Sequence, residues 1–146
     1  MVVSSGSPLA AKLGVREGAT LALLHAPFGF HLALPPDVSV KRQARGQADV
    51  VVAFFVRKVA LEQQLDALTP MIFPSGGLWI AWPKKTSGRT TDLTDNVVRQ
   101  SVLQRGLVDN KVCAVDETWS ALRFVWRLQQ RPGRSVRADT PYEARS

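Results

Sequence analysis

One cysteine, two histidines and no long apolar run mark this chain of 146 residues. A lone Cys113 cannot close an internal disulfide, which fits a reducing compartment and makes the cytoplasm the default location. His25 and His31, with a single thiol and no carboxylate pair at ligand spacing, leave no metal constellation. Apolar runs such as Val50–Val56 fall far short of the roughly 20 residues that span a bilayer, so no membrane partner is expected. Met1–Ser7 has neither a basic start nor a long apolar core, which excludes a secretory signal. No G-x-x-x-x-G-K-[ST] phosphate loop occurs, and no Ser–His–Asp arrangement can be assembled.

What is present reads as an ordinary globular protein, 45% hydrophobic and 21% charged. The length suits one core, here expected as a single α/β domain over 1–128 followed by a basic, mobile tail over 129–146. The net charge of +7 raises anionic metabolites or nucleic acid as partners, although such a charge also serves solubility. Part of it belongs to the tail, where Arg131, Arg134, Arg137 and Arg145 outnumber Asp139 and Glu143.

Ser7, Pro8 and Gly14 are the cap, first-turn and closing residues of a short helix. Thr20–His25 reads as a buried strand, and Ala26–Phe30 as a loop leading into a weak helical turn that Pro35-Pro36 breaks. Val38–Gln43 alternates like a strand near a sheet edge. Asp49–Val56 is the strongest strand, apolar throughout after Asp49, as a central parallel strand covered on both faces would be. Arg57–Leu68 places Leu61, Leu65 and Leu68 on one helical stripe. Leu78–Trp82 is a further buried strand, Pro83–Thr91 a basic loop, and Thr94–Arg105 a helix ended by Gly106. Asn110–Val115 and Ala121–Arg127 are close enough to form an antiparallel hairpin. The order predicts a small three-layer, Rossmann-like α/β fold: a mostly parallel sheet, helices on both faces, and a C-terminal antiparallel hairpin.

Two resemblances follow from particular residues. Pro74-Ser75-Gly76-Gly77-Leu78-Trp79-Ile80 is similar to the entry into the fifth strand of S-adenosylmethionine-dependent methyltransferases. The hairpin Lys111–Trp126 resembles their sixth and seventh strands, and the element order resembles their fold with pieces trimmed out. Ser7–Gly14, Trp82-Pro83-Lys84-Lys85 with Ser87-Gly88, and Val112–Phe124 with Asp116-Glu117-Thr118-Trp119-Ser120 resemble a bacterial family to which no activity is assigned.

In open α/β sheets ligands sit beyond the carboxyl ends of the strands, where strand order reverses. The residues delivered there are His25, Phe28 and Gly29 after the first strand, Arg57 and Lys58 after the Asp49–Val56 strand, and Lys84, Lys85, Ser87 and Gly88 after Leu78–Trp82. Asp116, Glu117 and Trp119 join the same rim if the first hairpin strand runs parallel. Up to four cations can therefore meet on one edge, which suits a small anionic or phosphate-containing ligand. Solvated loop cations are the competing reading. Asp116 could pair with Lys84 and Lys85 or merely close its turn, and Trp119 could stack on a ligand or plug the sheet edge.

The loop after the first strand is the decisive negative. A dinucleotide or adenosylmethionine site uses a Gly-rich turn there, whereas His25-Ala26-Pro27-Phe28-Gly29-Phe30 has one glycine, a proline and two phenylalanines expected to fill the space. No acidic residue closes the next strand, which ends in Lys41, Arg42 and Gln43. No cofactor is therefore expected. The leading expectation is a non-catalytic domain binding a small anion or a protein partner at the basic rim. A divergent methyltransferase and a nucleic-acid-binding module stay open as alternatives, whether the chain is an enzyme is left undecided, and a homodimer would cover an open sheet edge.

Overall fold

A computed structural model describes residues 7–127. The first helix, α1 (Pro8–Leu13), is capped at both ends as its residues require. Ser7 Oγ accepts the Ala10 N–H at 3.1 Å, and Gly14, at φ 86°, turns its own N–H back onto the Ala10 and Ala11 carbonyls. Strands β1 (Thr20–Leu24), β2 (Ser39–Lys41), β3 (Val50–Phe54) and β4 (Gly77–Pro83) run parallel to one another. The hairpin strands β5 (Leu107–Ala114) and β6 (Trp119–Trp126) are antiparallel, with β6 against β4. Sheet order is β2-β1-β3-β4-β6-β5, so the chain reverses its winding between β1 and β3.

Every residue of β3 and β4 is buried, which explains their unbroken apolar runs: both sheet faces are covered. One face carries α2 (Lys58–Leu68), α3 (Asp95–Leu103) and the 3-10 turn Thr69–Ile72, packed through Leu61, Leu65, Leu68, Val98 and Val102. The other carries α1 and the stretch Phe30–Val38, packed through Leu13, Phe30, Leu32 and Leu34. The expected three-layer, mostly parallel architecture with its closing hairpin is the one observed.

Several local expectations need correction. The weak helical turn after β1 does not form; residues 30–35 have no regular secondary structure, and their alternating Phe30, Leu32 and Leu34 pack on the sheet in place of a helix. His25 leaves the strand because it adopts φ 58°, a left-handed conformation. The second strand shrinks to three residues, since Pro35, Pro36 and a left-handed Asp37 delay pairing until Ser39. β5 starts earlier, at Leu107, and absorbs the extra length in a bulge between Asp109 and Lys111. The expected tail, 129–146, lies outside the described residues.

On the α2/α3 face, Arg105 reaches Glu62 at 3.3 Å and Asp66 at 3.1 Å, and its Nη1 donates to the Ser101 carbonyl at 2.7 Å. Ser101 Oγ donates to Glu62 Oε2 at 2.6 Å. That bond first, then Arg105, holds the Glu62 carboxyl below its ordinary value against the opposing effect of burial. A carboxyl depressed in the folded state stabilises it fully above the unfolded value, near 4.5, and less as pH falls through the folded one. Glu62→Gln should therefore flatten the acid limb of stability, read from urea midpoints between about pH 5 and pH 2. An unchanged limb would show that this cluster does not couple to folding.

Candidate functional site

The reversal between β1 and β3 opens a crevice at their carboxyl ends, and the structure puts a cleft of ≈ 270 Å³ there. Its walls are His25, Phe54, Phe55, Val56 and Arg57 from the strand ends, with Ala60, Gln63 and Gln64 from α2. His25 is fixed from two sides. Its Nε2 donates to Gln64 Oε1 at 3.1 Å, and its ring lies 5.4 Å from that of Phe55. A non-glycine residue in the left-handed region costs on the order of 1–3 kcal/mol, a strain that tends to be kept at binding sites. Arg57 is exposed at the mouth of the same cleft, at the cap position of α2. The first N–H of that helix is already taken, because Lys58 donates to Asp92 Oδ1 at 2.7 Å.

The expected rim residues thus divide into two groups. His25 and Arg57 share the β1/β3 cleft. Lys84, Lys85, Ser87 and Gly88 lie after β4, beside Asp116, Glu117 and Trp119 at the hairpin turn, where the Lys84 N–H donates to the Thr118 carbonyl at 2.7 Å. β5 does run in the direction of β4, so the turn reaches the same rim.

Within the second group the polar atoms serve the backbone. Ser87 Oγ donates to the Lys84 carbonyl at 2.7 Å and accepts the Arg89 N–H at 3.1 Å. Asp116 Oδ1 accepts the N–H groups of Thr118 and Trp119, each at 2.8 Å, closing the turn itself. Among the described residues no ion pair joins Asp116 or Glu117 to Lys84 or Lys85. Trp119 is buried as an edge plug, its ring 5.1 Å from Phe54 and capped by Arg89 at 5.4 Å.

The first loop holds a second correction. Phe28 does not fill the crevice; it stands fully in solvent at the tip of the turn, while Phe30 packs edge-on against Phe54 at 5.1 Å. The turn is closed by the Phe30 N–H on the Pro27 carbonyl, with Gly29 at φ 83° supplying its left-handed residue. Arg89 and Gln64 escaped the sequence reading. Gln64 was findable, since Arg57, Ala60 and Gln64 recur at helical spacing; Arg89 was not, because its partner lies on a distant hairpin.

Cys113 is a free, buried thiol. Burial pushes its thiol up, with nearby Lys12 pulling weakly the other way. Among the described residues no three His, Cys, Asp or Glu side chains gather as a metal site, and no helix is long and apolar enough to cross a membrane.

A S-adenosylmethionine-dependent methyltransferase from Aquifex aeolicus matches at a TM-score of 0.60 and 14% identity, over 80% of this chain and 86% of that one. The ribosomal protein L11 methylase of Lactobacillus delbrueckii subsp. bulgaricus matches at 0.55 and 10%, over 82% and 75%. Magnesium protoporphyrin IX methyltransferase from Synechocystis PCC 6803, solved with bound S-adenosylmethionine, matches at 0.54 and 10%, over 82% and 74%. The chain has the methyltransferase-like Rossmann fold. No family model and no curated protein matches it.

The residues present do not fit the cofactor that this fold suggests. No helix follows β1 across residues 25–38, so the stretch after β1 presents no helix N-terminus to the crevice. The end of β2 offers no carboxylate to a ribose: Lys41 Nζ is spent on the Arg45 and Gln47 carbonyls at 3.2 and 2.9 Å, and Arg42 and Gln43 follow.

Proposed function

We propose that this domain keeps the methyltransferase-like fold without its cofactor chemistry and binds a small organic anion in the β1/β3 cleft. The observation that carries this reading is His25, held left-handed at the strand end beside Arg57 over walls of Phe54, Phe55 and Val56. Arg57 supplies the charge and a planar donor fork, which suits a carboxylate or a phosphate ester. The aromatic and aliphatic walls suit an apolar body, and the Gln64 amide with the His25 ring sets its orientation. Lys84 and Lys85 add long-range attraction from the far side of the rim. The likeness of Trp82–Lys85 and Asp116–Ser120 to a bacterial family without assigned activity belongs to the same proposal.

Benzoate is a suitable probe, being a monoanion with an apolar ring. At saturating benzoate the melting temperature should rise by about 4 °C or more, as ligand linkage requires. Arg57→Ala should remove that rise, and the double variant Lys84→Ala, Lys85→Ala should leave most of it. The opposite pattern would move the site to the β4 loop and end this reading.

The methyltransferase coverage favours a second reading, methyl transfer by a site that holds S-adenosylmethionine in an altered way. Direct titration with that cofactor separates the two.

A further inference from the structure

Strands β2, β1, β3 and β4 stand side by side and parallel, so the loops that leave them share one edge of the sheet. Across that edge the loops alternate charge and ring. After β2 come Arg42 and Arg45, around a concavity of ≈ 380 Å³. After β1 comes Phe28, after β3 Arg57, and after β4 Lys85.

Three features set this edge apart from an ordinary solvated rim. Phe28 is fully exposed, yet its turn is held on both sides. The Phe30 N–H closes on the Pro27 carbonyl at 3.0 Å, and the His25 side chain is bonded to Gln64 at 3.1 Å. A fixed turn thus presents an aromatic ring to water. Second, the loop after β2 is curled on itself, because Lys41 Nζ donates to the Arg45 and Gln47 carbonyls at 3.2 and 2.9 Å. That curl leaves both arginines at the surface. Third, among the described residues no ion pair or side-chain hydrogen bond engages Arg42, Arg45, Arg57 or Lys85, whereas Arg99 and Arg105 are paired with carboxylates.

We infer that a single-stranded nucleic acid binds across this edge, its phosphates on the cations and a base stacked on Phe28. Strands about 4.8 Å apart put roughly 14 Å between β2 and β4, room for a few nucleotides and too long for a single phosphate. An exposed aromatic ring among cations is the pairing that such surfaces use, since every base has a face to stack and phosphate oxygens accept from arginine and lysine. An anionic membrane is the weaker match. One phenylalanine offers little anchorage where a whole myristoyl chain binds only marginally. A flat bilayer also meets the exposed Asp92, Asp116 and Glu117 on neighbouring loops, which a narrow strand passes beside. Arg57 belongs to the β1/β3 cleft as well, but Phe28, Arg42, Arg45 and Lys85 do not line it, so the inference extends that reading without depending on it.

The test is fluorescence anisotropy of the full chain with a labelled oligouridylate of about 12 nucleotides at low salt. Saturable binding is expected, weakened about tenfold or more by Phe28→Ala. Phe28→Trp should keep it and Phe28→Leu should not, which separates stacking from apolar contact. The double variant Arg42→Ala, Arg45→Ala should weaken binding and flatten its logarithmic salt dependence by about 1.4, or two phosphate contacts. These side chains are exposed, so the variants should fold, which a thermal melt verifies. The same variants should leave the benzoate-induced rise in melting temperature unchanged, so either experiment can fail while the other stands. Affinity indifferent to Phe28→Ala and to the double variant would overturn the inference, as would a duplex of the same length bound as tightly. So would phosphatidylserine vesicles that displace the oligonucleotide and bind Phe28→Leu as well as the unaltered chain.

Discussion

Trp79→Ala should cost about 3–5 kcal/mol, a large part of the roughly 5–15 kcal/mol by which domains of this size are stable. Trp79 is 1% exposed in the central strand β4, in the cluster that joins Leu13, Val52 and Phe54. Truncation opens a cavity that strands paired on both sides cannot collapse to fill. It also removes the indole N–H that donates to the Leu13 carbonyl at 2.9 Å, the bond that ties the last turn of α1 to the sheet. Trp79→Phe separates the two contributions. It keeps most of the volume, orphans that carbonyl, and should cost about 1–3 kcal/mol. Urea unfolding checks both variants, and a loss under about 1 kcal/mol for the alanine variant would contradict the packing described.

Gly76→Ala should cost about 1–3 kcal/mol, and clearly more than Gly77→Ala beside it. A Cβ on Gly76 would lie 2.8 Å from the Asp49 carbonyl and 2.9 Å from that of Ala48, with Ile72 Cβ at 3.1 Å. Those carbonyls belong to backbone already fixed: the Gly77 N–H donates to Asp49 at 3.0 Å, and the Gly76 N–H to Ile72 at 2.8 Å. At Gly77 the obstacle is the far end of the Arg123 side chain, which can swing aside. The contrast between adjacent glycines is therefore the informative quantity. Equal losses on urea unfolding would show that backbone crowding at the entry to β4 is not what fixes Gly76.

The same contrast shows where sequence reasoning succeeds and where it stops. Buried runs such as Val50–Phe54 and Gly77–Pro83 declare themselves, because a strand covered on both faces must be apolar throughout. Ser7 and Gly14 bracket α1 by local chemistry alone. The stretch after β1 was harder to read. Phe30, Leu32 and Leu34 alternate, but three residues cannot distinguish an irregular pad from a broken helix without the sheet they cover. Phe28 was expected inside and stands outside, since hydrophobicity carries no direction at a turn tip.

The candidate sites were legible to different degrees. His25 and Arg57 could be brought together by the rule that ligands gather at strand ends, and the structure does place them in one cleft. Ser87 and Asp116 were drawn from the same rule, yet their oxygens close backbone turns.

The central claim is that the fold persists while the adenosylmethionine cradle is gone. Titration of the isotopically labelled protein with S-adenosylmethionine, followed by amide NMR, tests it most directly. The account predicts no saturable shifts at millimolar cofactor for residues 24–30, 41–43 or 54–57. Saturable shifts across those three segments at micromolar cofactor would contradict it and restore the methyltransferase reading.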